Sequence, residues 1–211
     1  MKRVASIDIG TNSTRLLVAE YTGEHLNRIE TGLITTRLGK DMAGGKLLLE
    51  TMLNTADAVG QFYQRALDLE VVAVTAAATS AVRDASNKAD FLELVNKRTG
   101  LMVRVLSGEE EAALSWRGVF SGLQVEAGVT LVIDIGGGST EFIWMHGDQL
   151  NLASVNAGAV RLTAVGADEA VTYNILRPAL EEVKRCAPAC LVGVGGTITT
   201  LAAIDQQLAI Y

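Results

Sequence analysis

Asp134 and Glu141 stand on either side of a glycine turn, within the stretch LVIDIGGGSTEFIW from Leu131 to Trp144. These residue types suit a charged, oxygen-rich ligand. Gly136, Gly137 and Gly138 can take positive φ without steric cost and let backbone N–H groups come close to a phosphate, and Ser139 and Thr140 add hydroxyl donors. An acid set between Ile133 and Ile135 is costly to bury unless something cationic meets it, so Asp134 is expected to face a metal or a basic group.

The pattern occurs twice. Ile7 to Val18, IDIGTNSTRLLV, aligns without a gap on Ile133 to Trp144, IDIGGGSTEFIW, with I, D, I, G, S and T shared. Asp8, Gly10, Thr11, Asn12 and Ser13 then repeat the second turn, with Arg15 where Glu141 stands. A repeat at this long spacing implies two similar halves rather than a short-period solenoid. The expected division is 1–122 and 123–211, with the boundary in the polar, glycine-containing segment Ser121 to Gly128. Two such turns facing one another would form a phosphate-binding cleft between domains. Equal halves also require about as much chain after Ile133 as lies between Ile7 and Ile133, so the second half is expected to be incomplete at its C-terminal side.

The elements that must carry these turns are legible from periodicity. Strands are expected over Val4 to Ile9, Leu16 to Tyr21 and around Leu26 to Leu38. Leu48, Met52, Ala56, Val59, Phe62, Tyr63 and Ala66 recur at helical spacing and predict one amphipathic helix from Leu47 to Leu69. Short strands follow at Val71 to Thr75 and Met102 to Leu106, with a helix from Lys88 to about Lys97 between them. Ser107 with Glu110 fits a capping box, which explains the acids at that helix start but not Glu111, one step past the box. A strand near Leu150 to Val155 and a helix from about Tyr173 to Arg185 precede a buried strand from Leu191. That strand runs into Gly195, Gly196 and Thr197, where the free N–H groups of a helix start lie beside glycines and offer a second anion-binding geometry.

A formal charge of -6 removes any global attraction to a nucleic-acid duplex or an anionic membrane, so a polyanionic ligand must meet local basic groups or a metal. No apolar run is long enough to span a bilayer and the N-terminus lacks a signal-peptide pattern, which predicts a cytoplasmic protein. Cys186 and Cys190 are then expected to be reduced structural thiols. With only two histidines in the chain, carboxylates are the expected metal ligands, which favours Mg²⁺.

Six ordered segments carry a family resemblance. DIGTNSTRLL from Asp8, ATSAVRDASN from Ala78, SGEEEA from Ser107, VIDIGGGSTE from Val132, GAVRLT from Gly158 and VGGT from Val194 resemble the motifs of the exopolyphosphatase and guanosine pentaphosphate phosphohydrolase family. The resemblance implies an α/β protein of two related domains with the actin-like ATPase (ribonuclease H-like) fold, each with a mixed five-stranded sheet, and a cleft between them. It implies Mg²⁺-dependent release of the terminal phosphate from inorganic polyphosphate or guanosine pentaphosphate. By matching positions, Glu111 resembles the catalytic base, Asp134 and Glu141 the metal-associated acids, and Arg83 a phosphate-contacting arginine, with Arg15 as a weaker candidate. Such roles suit the chemistry: a phosphoanhydride needs its charge neutralised and a water aligned behind the terminal phosphorus. A phosphotransferase of the same fold and a non-catalytic nucleotide- or polyphosphate-binding module are the competing readings, and a homodimer is left open.

Overall fold

The computed structural model describes residues 2–23, 26–42 and 44–208. Two compact units divide between Leu106 and Ser107. Unit 1 begins with an antiparallel meander of β1 (Lys2–Ile9), β2 (Ser13–Tyr21) and β3 (Leu26–Thr35). It continues through α1 (Leu49–Asp68), β4 (Ala73–Ala78), α2 (Ser80–Asp84), α3 (Lys88–Thr99) and β5 (Val103–Val105). The five strands form one mixed sheet in the order β3-β2-β1-β4-β5, with β4 parallel to β1 and β5 parallel to β4. Strand alternation assigns the faces. Ala5, Ile7, Ile9, Leu16 and Val18 are buried, and Ser6, Asp8, Arg15 and Leu17 between them are exposed. Met52, Ala56, Val59, Phe62 and Ala66 of α1 cover the buried face, joined by Phe91 and Val95 of α3.

Unit 2 repeats the path. It opens with α4 (Gly108–Gly122), then β6 (Thr130–Ile135), β7 (Thr140–His146) and β8 (Gln149–Val155) as an antiparallel meander. After the short α5 (Ala159–Ala164) and the longer α6 (Glu169–Cys186), β9 (Cys190–Val194) returns parallel to β6 and leads into α7 (Gly196–Asp205). The sheet order β8-β7-β6-β9 matches β3-β2-β1-β4. Val132, Ile143, Leu150, Leu152, Val192 and Val194 pack with Ala112, Trp116, Val119 and Phe120 of α4. The alternate residues Leu131, Ile133, Phe142, Trp144, Ala153 and Val155 pack with Leu176, Ala179, Leu180 and Val183 of α6. The sheet is therefore the middle of three layers, as a sheet apolar on both faces requires.

α4 belongs to the second compact unit, where its Ala112 and Val119 bury against Val132 and Ile143. Several expectations are corrected. The second sheet has four strands among the described residues instead of five. β4 runs to Ala78 rather than ending at Thr75, and two short helices, α2 and α5, occupy the Arg83 and Arg161 segments. Helices of five and six residues span fewer than two turns, too little for a hydrophobic period to register. α6 starts at Glu169, earlier than Tyr173, because Asp168 caps it by accepting the Val171 N–H at 2.8 Å. Among the described residues, no helix is long and apolar enough to cross a membrane.

Candidate active site

The hairpin of β6 and β7 pairs Asp134 directly opposite Glu141. Directly opposed residues of an antiparallel pair point to the same face with Cβ atoms about 5 Å apart, and like charges there repel. The row continues across the sheet, with Ser154 of β8 opposite Glu141 and Val194 of β9 opposite Asp134. This is the face that α4 covers, and α4 places Glu111 one turn into the helix. The capping box forms as expected: Ser107 Oγ accepts the Glu110 N–H at 3.1 Å, and Glu110 Oε2 accepts the Ser107 N–H at 2.9 Å. Glu110 is thereby committed to the helix end, while Glu109 and Glu111 lie outside the capping box and Glu111 is the one whose charge acts on Glu141.

Each carboxylate of the row is held by a serine. Ser115 Oγ of α4 donates to Asp134 Oδ2 at 2.6 Å, and Ser154 Oγ donates to Glu141 Oε1 at 2.9 Å. Glu141 is 1% exposed. Its burial, followed by the negative charge of Glu111, pushes its carboxyl up from 4.5 to about 7; Asp134 adds to the rise, and hydrogen bonds from Ser139 and Ser154 oppose it. Gly108 lets α4 approach this close, since a Cβ there would lie 2.7 Å from Ser154 Oγ. Gly195, at φ +90, brings the loop before α7 against the same acid: a Cβ at that position would lie 2.8 Å from Asp134 Oδ1 and 2.7 Å from the Ile135 carbonyl oxygen. Gly195 thus reaches the row that holds Asp134.

The glycine turn is tied down on its carbonyl side. Gly136 N–H closes the turn on the Ser139 carbonyl at 3.0 Å. The Gly136 carbonyl accepts from Ala159 N–H, and the Gly137 carbonyl accepts from both Val160 N–H and Arg161 N–H. The Gly138 carbonyl accepts from Arg161 Nε at 2.8 Å. Ser139 and Thr140 are buried, and Thr140 Oγ1 donates to the Ala157 carbonyl. Both hydroxyls therefore serve the unit's own structure, Ser139 toward Glu141 and Thr140 toward the segment after β8.

Unit 1 keeps the turn and changes its charge. Asp8 lies opposite Arg15, not opposite another acid, and the row continues to Leu33 of β3 and Ala77 of β4. The Thr11 carbonyl accepts from Gly39 N–H, the Asn12 carbonyl from Thr36 and Arg37 N–H, and Gly10 N–H closes on the Ser13 carbonyl. Thr11 is buried, with its hydroxyl 2.8 Å from Ser80 Oγ. Thr14, the counterpart of Thr140, lies 3.3 Å from Thr36 Oγ1. Arg83, on α2, donates from Nη1 to the Leu106 carbonyl at 3.0 Å, which ties α2 to the end of β5.

A divalent cation fits unit 2 and not the unit 1 hairpin. Two carboxylates opposed across a hairpin, with a third acid raising the protonation of one of them, are stabilised by a hard cation at their oxygens. Among the described residues, no three His, Cys, Asp or Glu side chains are grouped to hold a metal by themselves. Such a site suits Mg²⁺, which commonly takes one or two carboxylates and completes its shell with water and phosphate oxygens. In unit 1, Arg15 already stands where the second acid would be.

Ser115, Ser154, Gly108 and Arg161 were not legible as site residues. Ser154 had a signal: the turn at Gly147, φ +59, sets His146 opposite Gln149, and counting back sets Glu141 opposite Ser154. Ser115 had none, because its place depends on how α4 lies on the sheet.

Two α/β units built on the same strand path, each with an Asp-Gly hairpin, place the chain in the actin-like ATPase (ribonuclease H-like) fold class. The chain belongs to the Ppx/GppA phosphatase family, whose profile matches residues 17–207. Exopolyphosphatase 2 of Mycobacterium tuberculosis is 32% identical, the match covering 100% of this chain and 73% of that protein. Guanosine-5'-triphosphate,3'-diphosphate pyrophosphatase of Vibrio parahaemolyticus is 30% identical, covering 93% of this chain and 42% of that protein. The crystal structure of an exopolyphosphatase from Cytophaga hutchinsonii superposes with a TM-score of 0.90 at 29% identity, over 100% of this chain and 73% of that one.

Proposed function

We propose that the chain is a Mg²⁺-dependent phosphohydrolase that releases the terminal phosphate of inorganic polyphosphate or guanosine pentaphosphate. The observation that carries this reading is the opposed pair Asp134 and Glu141 beside a glycine turn, with Glu141 buried and its carboxyl raised by burial and by the charge of Glu111. Asp134 and Glu141 would hold Mg²⁺, which when bound neutralises charge on the phosphoanhydride. The backbone N–H groups of Gly137 to Ser139 and of Gly195 to Thr197 would hold phosphate oxygens. Glu111, which the capping box does not use, would orient and deprotonate the attacking water. In unit 1, Asp8, Gly10 to Ser13, Arg15 and Arg83 are assigned to phosphate contacts. Membership of a phosphatase family and the names of the two relatives support the reaction class.

The test is phosphate release by this chain from long-chain polyphosphate and from guanosine pentaphosphate with Mg²⁺, before and after Glu111→Gln. Loss of a general base lowers kcat by roughly 10²–10⁴-fold. Release unchanged by Glu111→Gln removes Glu111 from the role of base. Tight polyphosphate binding without release favours a binding module, and phosphate transfer seen only with an acceptor present favours a phosphotransferase.

A further inference from the structure

We propose that Arg161 is a positioning residue: together with the backbone of Ala159 and Val160 it clamps the carbonyls of the glycine turn and thereby aims the N–H groups of Gly137, Gly138 and Ser139 at a phosphate. The proposal rests on the phosphate-binding reading of the turn given above.

In a trans peptide the C=O of one residue and the N–H of the next point in opposite directions. The Gly136 carbonyl accepts from Ala159 N–H at 3.0 Å, and the Gly137 carbonyl accepts from Val160 N–H at 2.8 Å and Arg161 N–H at 3.0 Å. The Gly138 carbonyl accepts from Arg161 Nε at 2.8 Å. Three successive carbonyls thus point toward α5. The three N–H groups in the same planes, those of Gly137, Gly138 and Ser139, point away from it. Glycines have the widest choice of φ and ψ, so a turn of three is soft unless its orientation is imposed from outside. The Arg161 side chain is the only part of this clamp not supplied by backbone, and it fixes the last of the three planes.

Two observations make the clamp a built device. Contact is close enough to demand glycine on the clamping side, since a Cβ on Gly158 would lie 2.4 Å from the Gly137 carbonyl carbon and 2.4 Å from the Gly138 nitrogen. Unit 1 solves the same problem with its own segment after the third strand. There Thr36, Arg37 and Gly39 N–H groups take the Asn12 and Thr11 carbonyls, and a Cβ on Gly39 would lie 2.3 Å from Thr11 Cγ2. The conserved element between the two units is the clamp on the carbonyl side; the sequences that supply it differ.

The experiment measures binding of tripolyphosphate in the presence of Mg²⁺ by isothermal titration calorimetry, for the unsubstituted chain, Arg161→Met and Arg161→Lys. Arg161→Met keeps an apolar stem and loses the donor. It is expected to weaken tripolyphosphate about tenfold or more, ~1.4 kcal/mol, while the affinity for Mg²⁺ alone stays within about twofold. Arg161→Lys keeps a donor and is expected to recover part of the loss. A purely structural role would lower Mg²⁺ and tripolyphosphate affinity together. On the unsubstituted chain, ¹H–¹⁵N spectra are expected to show the amides of Gly137, Gly138 and Ser139 shifting on tripolyphosphate addition, a readout that does not depend on any variant folding. Unshifted amides in a chain that binds tripolyphosphate, or binding by Arg161→Met within about twofold of the unsubstituted chain, overturn the clamp and leave the phosphohydrolase reading standing. Failure of the unsubstituted chain to bind tripolyphosphate overturns both.

Discussion

Glu141 makes the metal-free chain less stable as pH rises. In the folded unit its carboxyl is raised from 4.5 to about 7, through burial first and the charge of Glu111 second. Below about pH 4.5 folded and unfolded chains both carry the proton, and the site costs nothing. Between 4.5 and about 7 the unfolded chain releases it while the folded chain keeps it, so the folded state binds more protons and stability falls with pH. Above about 7 the full cost is present. At about 1.4 kcal/mol per pH unit the gap corresponds to ~3 kcal/mol, or roughly 6–12 °C at about 2–4 °C per kcal/mol for a chain of this size. The assay is thermal unfolding in EDTA at pH 5 and pH 8, for the unsubstituted chain and Glu141→Gln. Other groups titrate in this range, so the quantity of interest is the difference between the two slopes. Glu141→Gln, which cannot ionise, is expected to lose less stability between the two pH values, by up to ~3 kcal/mol. Mg²⁺ is expected to restore the unsubstituted chain at pH 8 and to do little for Glu141→Gln. Equal slopes, or a steeper fall in Glu141→Gln, would refute the reasoning that Glu141 is held neutral by burial and neighbouring acids.

Asp134→Asn is expected to weaken Mg²⁺ binding at least tenfold, ~1.4 kcal/mol, while circular dichroism keeps its helix and strand signal; a matching loss of that signal places Asp134 in the fold rather than at a metal. Gly195→Ala is expected to destabilise by about 1–3 kcal/mol, because φ is +90 and the new methyl meets the Ile135 carbonyl and Asp134 Oδ1. An unchanged melting temperature would show that the loop before α7 moves aside freely.

Much of the site was legible because hairpins are local. The shared I-D-I-G and S-T positions located both turns, and the short turn between β6 and β7 leaves one register in which Asp134 meets Glu141. The structure gives the shared Thr a reason of its own: Thr14 and Thr140 are buried and tie each hairpin to the segment that follows its third strand. It also changes the expected job of Thr140, whose hydroxyl is directed at Ala157. The capping box at Ser107 was readable for the same reason, since all its partners lie within one helical turn. The packing of α4 was not, because helix periodicity tells which face of α4 is apolar and not which sheet buries it.

The sequence by itself determined two Asp-Gly hairpins, their opposite cross-strand charges, Arg15 in one and Glu141 in the other, and the family they point to. Those features follow from backbone geometry over a dozen residues. Only the tertiary structure decided what holds the acids. Ser115 reaches Asp134 and Arg161 reaches Gly138 across long separations in sequence. Their meeting depends on the rotation of α4 over the sheet, set by Ala112 and Val119 against Val132 and Ile143, and on the return of the chain after β8. Burial of Glu141 belongs to the same packing, so its raised carboxyl is a property of the assembled layers and has no counterpart in the local sequence.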